Sequence, residues 1–306
     1  MPKIVTTQDL LLSEAHKTRL QAIWELTEYT TAPTSAEEYL ERVKWADIIL
    51  SEEVFMHENV YNLKDCFLTF PFSGFLEPVD TEILKKNNVV CSSAKWGNKY
   101  AVSERCIQAL TLLTRHTKWI LNGSLRIDTS NLASLEVTWV YWLQILILWK
   151  WNIGEQTGRA CEALWWKVDY FVRWDNLQQK IIWKDVIINC LSAKDDNIGL
   201  LDYELLSQNT TPFHYITIAR DTIHNIDHII KLIQEWRIIG YADDCASMPS
   251  WDRNHDYFLK VNHIPWNTFI TPHIARASKS AISYSNDIVV NNVEAYIQGK
   301  PINLVY

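Results

Sequence analysis

Three stretches of this 306-residue chain carry side chains whose type and placement could do chemistry. The first is an apolar run, Leu143 to Leu148, followed by Trp149-Lys150-Trp151-Asn152-Ile153-Gly154, a helical run to about Leu164 and a second apolar run, Lys167 to Val172. Strand, turn, helix, strand is the setting in which a glycine-rich turn offers backbone N–H groups and a helix N-terminus to a pyrophosphate. The motif G-x-G-x-x-G is damaged: Trp149 and Trp151 take its first two positions and only Gly154 survives. The first glycine makes the tight turn and the second admits the phosphate, so an indole at either place would fill the site. The second stretch holds Arg220, just past an apolar run, where open α/β sheets bind ligands. Its guanidinium could grip a carboxylate bidentately, or pair with Asp221 at the surface. The third holds His273 in Thr271-Pro272-His273, an imidazole able to take and return a proton near neutrality. Taken alone, a histidine after proline is more often a capping or surface residue.

These side chains need a scaffold, and the hydrophobic pattern supplies one. Strands are expected at Lys3–Thr6, 46–50, Phe67–Phe70, 89–91, 185–190, 214–219, 238–242 and 268–270, besides the two flanking the turn. Helices are expected at 13–23, 36–43, from Val79-Asp80 through Lys85, 99–115, 203–207, 224–235 and 275–298. Such alternation implies α/β architecture with doubly wound parallel sheets. The turn-rich Asn122-Gly123-Ser124 reads as a crossing between lobes. Cofactor selectivity is partly legible too. An acidic residue ending the strand after the phosphate helix bonds a ribose 2′-OH, whereas arginine suits a 2′-phosphate. That position is Val172, followed by Arg173, which leans toward NADP over NAD. Two other readings stay open: Arg173 as a solvated strand-end charge, and Asp175 as the ribose acceptor.

The net charge of −7 argues against a nucleic-acid surface. No membrane span or signal peptide is visible, so a cytoplasmic protein is expected. The six cysteines show no C-x-x-C and read as buried thiols, with no metal site. One number is abnormal: the chain has 8 glycines and 15 tryptophans. Ordinary glycine usage of about 7% would give roughly 21, which is close to the two counts combined.

Several motifs in order make the chain resemble the D-isomer-specific 2-hydroxyacid dehydrogenase family over nearly its whole length. Phe72-Ser73-Gly74-Phe75 with Val79-Asp80 is similar to the family's substrate loop, and Asn98 with Ala101-Val102-Ser103-Glu104 to its N-x-x-A-V-A-E. Thr217-Ile218-Ala219-Arg220 resembles N-T-A-R-G, and Thr271-Pro272-His273-Ile274-Ala275 matches T-P-H-I-A. Gly299-Lys300-Pro301-Ile302-Asn303-Leu304-Val305 resembles the closing G-x-P-x-N-x-V. The resemblance implies two Rossmann-like lobes, a substrate domain of residues 1–105 and 274–306 and an inserted dinucleotide domain of 106–273. It implies NAD(P)-dependent interconversion of a D-2-hydroxy acid and its 2-keto acid, with His273 as acid/base and Arg220 on the substrate carboxylate. Ser73 and Gly74 would bind substrate. Trp149, Trp151, Asn152, Ile153, Gly154, Arg173 and Asp244 would meet the cofactor, Asp244 at the nicotinamide amide. A homodimer is implied as well. The competing reading is a non-catalytic member, a dimeric nucleotide-binding or scaffold protein.

That competitor arises from one departure. The family's carboxylate partner of the histidine follows D-V-F-E-x-E-P, and here the segment runs Asp244-Cys245-Ala246-Ser247-Met248-Pro249. Met248 or Pro249 stands in the glutamate's place, with Asp252 or Asp256 as possible substitutes. Glycine is also usual in the family where this chain has Trp45, Trp96, Trp142, Trp149, Trp151, Trp165 and Trp236. The expectation is that most of the tryptophans are glycine in the natural protein, through UGA codons that some bacterial lineages read as glycine.

Overall fold

The computed structural model describes residues 2–52, 54–73, 79–121, 142–164, 166–244, 259–261 and 267–305. Two compact units form, Met1–Asn98 with Ala277–Tyr306 and Lys99–Arg276. The first holds strands β1 (Lys3–Thr6), β2 (Glu25–Glu28), β3 (Ile48–Leu50), β4 (Phe67–Phe70) and β5 (Val90–Ser93). All pair in parallel in the order β2-β1-β3-β4-β5. Strands β3 and β4 are buried along their whole length, which parallel sheets covered on both faces require. Strand β2 has exposed glutamates at both ends and lies at the sheet edge. It offered no apolar run to read. The closing helix, Lys279–Ile297, lays Val289, Val290 and Val293 against Ile4, Leu20 and Ile48. It starts four residues later than the pattern suggested, because the Ser278 hydroxyl accepts from the Ala281 N–H and caps it.

The second unit holds β6 (Gln144–Leu148), β7 (Lys167–Phe171), β8 (Val186–Asn189), β9 (Phe213–Thr217), β10 (Ile238–Asp244) and β11 (Thr268–Thr271). They form one parallel sheet in the order β11-β10-β9-β8-β6-β7. Alternate residues face opposite cores. Leu146, Leu148, Ile187, Tyr215 and Tyr241 pack with Ile229, Leu232 and Ile233 of the Ile226–Gln234 helix. Ile145, Ile147, Ile188, Ile216 and Ala242 pack with Cys106, Ala109, Leu110 and Leu113 of the Lys99–Thr114 helix, and with Cys161 of the Ile153–Ala163 helix. Helices on both faces make the sheet doubly wound, as the alternation predicts. The strand order reverses at β6, so a ligand crevice is expected outside the C-terminal ends of β6 and its neighbours.

Among the described residues five cysteines are free thiols, four of them buried. No described helix is long and apolar enough to cross a membrane, and no described cluster of three or more His, Cys, Asp or Glu could hold a metal ion. Asn122-Gly123-Ser124 lies outside the described residues.

Candidate active site

The turn after β6 has the backbone of a phosphate loop. Residue 149 sits at φ 90°, a left-handed conformation that glycine adopts freely and a bulky side chain does not. The helix Ile153–Ala163 starts at Asn152 without a side-chain cap. Its second residue is pressed so closely on the strand end that a Cβ on Gly154 would lie 2.1 Å from the Trp149 carbonyl oxygen. Only glycine fits there. The side chains around this backbone tell a different story. Trp149 is half-buried against the sheet core, Trp151 is 59% exposed, and the Trp151 N–H donates to the Trp149 carbonyl at 2.9 Å. The turn thus combines a glycine-like backbone at residue 149 with an uncapped helix start, while the Trp151 N–H points inward and two indoles stand on the turn.

Three adjacent strands bring the remaining polar groups to the same edge of the sheet. Asp244 ends β10, Arg220 lies three residues past β9, and His273 lies two past β11. The buried Asp244 carboxylate organises the loop that carries His273. Its Oδ1 accepts from the Thr271 hydroxyl at 2.7 Å and the Ile274 N–H at 2.9 Å, and its Oδ2 accepts from the Ala275 N–H at 2.9 Å. Three donors from one loop fix the residues on either side of His273, which itself stands at φ 52°. More than a third of His273 is exposed, yet the protein around its ring lowers its pKa from the ordinary 6.5. Asp244 opposes that shift, and the cations Arg220 and Arg276 add to it. Below the Arg220 segment, Thr217 Oγ1 accepts from the Asn189 amide at 3.2 Å and from the Ala219 N–H at 3.3 Å. A small gap of about 10 Å³ lined by Arg105, Thr217, Asp244, Phe269 and Thr271 lies here. A larger cavity, about 410 Å³, lies at the opposite strand ends, around Leu113, Lys118 and Asn267.

Asparagine at 244 keeps the shape of aspartate but has one acceptor oxygen, so one of the loop N–H groups would face an NH₂ donor. We expect Asp244→Asn to cost about 2–3 kcal/mol, the penalty for stranding a buried polar group, read as a lower midpoint in urea denaturation.

The other sequence-predicted residues fall as follows. Ser73 is exposed in the first unit, where its carbonyl accepts from the Ser93 hydroxyl at 3.2 Å. Gly74, Trp165 and the whole of 245–258, with Met248, Pro249, Asp252 and Asp256, lie outside the described residues. Arg173 follows β7 and donates to Asp196 at 2.6 Å. Asp175 accepts from the Val172 N–H at 2.9 Å and pairs with Lys180 at 3.2 Å. One arrangement had no signal in the sequence. On the face opposite Asp244, the Tyr241 hydroxyl donates to the buried Asp243 at 2.8 Å, with His224 Nε2 4.0 Å from the same oxygen. Burial pushes His224 down to about 4, so the ring is neutral beneath the segment bearing Arg220.

Residues 158–275 match the D-isomer specific 2-hydroxyacid dehydrogenase, NAD binding domain. A glycerate dehydrogenase from Methylorubrum extorquens is 30% identical over 159 residues, spanning 50% of this chain and 49% of its own. An acyclic imino acid reductase solved with NADPH and D-Arg superposes with a TM-score of 0.81 at 18% identity, covering 99% of this chain and 100% of the other. A D-isomer specific 2-hydroxyacid dehydrogenase from Lactobacillus delbrueckii ssp. bulgaricus, in its NAD-complexed form, gives 0.77 at 16%, covering 99% and 100%. At these identities the solved structures establish the shared fold.

Proposed function

We propose that the protein is an NAD(P)-dependent oxidoreductase interconverting a small D-2-hydroxy acid and its 2-keto acid. The observation that carries this reading is the convergence of Arg220, Asp244 and His273 at the C-terminal ends of β9, β10 and β11, inside the span that matches the family's NAD-binding domain. When bound, the nicotinamide supplies or accepts hydride. Arg220 then grips the substrate carboxylate and polarises the carbonyl. His273 gives a proton to the carbonyl oxygen on reduction and takes it from the hydroxyl on oxidation. Asp244 holds the loop that aims the imidazole. The resemblance implies that Ser73 and Gly74 also bind substrate, and Arg173 meets a ribose 2′-phosphate, giving the lean to NADP. The resemblance further implies a homodimer, and a cytoplasmic location is part of the same proposal. The test is reduction of short 2-keto acids followed by loss of NADPH or NADH absorbance. No turnover of any of them, despite tight cofactor binding, would favour the non-catalytic reading. Arg220→Lys keeps the charge but loses the planar fork. We expect it to lower kcat/KM by about 10- to 100-fold, the loss of one charge-assisted hydrogen bond.

The same proposal takes residues 149 and 151 as glycine in the natural protein, their UGA codons being read as glycine. Four tryptophans, Trp96, Trp149, Trp183 and Trp236, stand at φ between 58° and 90°, a region few non-glycine residues enter. Trp45, Trp142, Trp151, Trp174, Trp183 and Trp236 all leave most of their surface in water. Trp166 differs: it is 5% exposed in the core and reads as a genuine tryptophan. Peptide mass spectrometry of the protein from its own cells decides this, and intact tryptophan at 149 and 151 would refute it.

A further inference from the structure

One ion pair bridges the segments that follow β7 and β8, on either side of the β6 turn. Arg173, two residues past β7, donates from Nη2 to Asp196 Oδ2 at 2.6 Å. Their side chains are 67% and 72% exposed, so the pair is open to an incoming ligand. The neighbouring charges are committed elsewhere. Lys180 and Lys184 both sit on Asp169, and Asp175 is turned into its own bend by the Val172 N–H and Lys180. Asp175 is thus poorly placed to accept a ribose hydroxyl. Arg173 is left as the cation past the end of β7, with Asp196 already on its donors.

We propose that Asp196 is a specificity-determining residue, an internal competitor for the guanidinium that would take the 2′-phosphate of NADP(H). This rests on the reading of Arg173 given above. A carboxylate and a phosphate monoester want the same fork of N–H donors, and one guanidinium edge serves one of them at a time. Exposed ion pairs are weak, so a dianionic phosphate can displace Asp196. The displaced carboxylate then remains beside the phosphate and repels it. Asp196 accordingly moderates the preference for NADPH without abolishing it. NADH presents only a hydroxyl, makes no claim on Arg173, and is indifferent to Asp196.

The experiment uses the full-length chain with Trp149→Gly and Trp151→Gly, titrated with NADPH and with NADH by nucleotide fluorescence, alone and with Asp196→Asn or Arg173→Ala added. Asp196→Asn should tighten NADPH roughly fivefold, the upper range for an exposed charge pair, leave NADH nearly unchanged, and lose its advantage in high salt. Arg173→Ala should weaken NADPH selectively. An unchanged NADPH-to-NADH ratio in Asp196→Asn, with selective NADPH loss in Arg173→Ala, overturns the role of Asp196 while the Arg173 reading stands. Weakened NADH in Asp196→Asn overturns it differently, making Asp196 the ribose acceptor. Equal losses for both cofactors in Arg173→Ala sink the Arg173 reading, and this proposal with it.

Discussion

His273→Ala is expected to lower kcat for 2-keto acid reduction by about 10²–10⁴, the usual contribution of a positioned acid/base group, while nucleotide affinity stays nearly unchanged. The imidazole acts on the substrate oxygen and makes no claim on the dinucleotide, so the loss should fall on kcat. Reduction needs the protonated ring and oxidation the neutral one. Because burial and the nearby Arg220 and Arg276 lower the pKa of His273 below 6.5, the reductive rate should fall away at a lower pH than an ordinary imidazole would give. The oxidative rate should persist into correspondingly more acid solution. Initial rates in both directions across pH 4–9, in buffers of constant ionic strength, check the sign. A reductive arm that holds well above 6.5 would mean that an anion faces the ring after all, restoring the role of the missing glutamate. An alanine variant with undiminished kcat would remove His273 from the chemistry.

Most of the sheet was legible because parallel strands buried on both faces must be apolar throughout. Gln144–Leu148, Val186–Asn189 and Phe213–Thr217 carry that signature plainly. Glu25–Glu28 does not, since an edge strand of four residues needs only the backbone to pair. Arg220 and His273 were visible through motifs, but the clamp that joins His273 to β10 was not. Asp244 was read as a group facing the nicotinamide, and nothing in its sequence neighbourhood announces three bonds to a loop almost thirty residues away. The Arg173–Asp196 pair was hidden for the same reason: its partners are 23 positions apart in separate loops. The tryptophans reverse the usual order of inference. Composition raised the anomaly, and the backbone angle at Trp183, which no motif had singled out, extends it.

The protein with tryptophan at 149 and 151 should bind NADH and NADPH about 10²–10⁴ more weakly than the same chain with Trp149→Gly and Trp151→Gly. The estimate follows from losing about two backbone hydrogen bonds to a charged phosphate, each worth about 1.5–3 kcal/mol. The Trp151 N–H is already spent on the Trp149 carbonyl, and that amide must turn outward to meet an anion at the helix N-terminus. Glycine permits the turn and takes two indoles off the loop that the pyrophosphate would approach. A second, independent gain is expected without any ligand. A non-glycine residue held at φ 90° costs about 1–3 kcal/mol, so Trp149→Gly alone should raise the unfolding midpoint. The half-buried Trp149 indole works against this by covering core residues, and the measured change in urea weighs strain against burial. Trp166→Gly is the control, because it empties a buried core position and should destabilise strongly without improving nucleotide affinity. Equal cofactor affinity before and after Trp149→Gly/Trp151→Gly would show that indoles are tolerated in this turn, and the case for glycine there would fall.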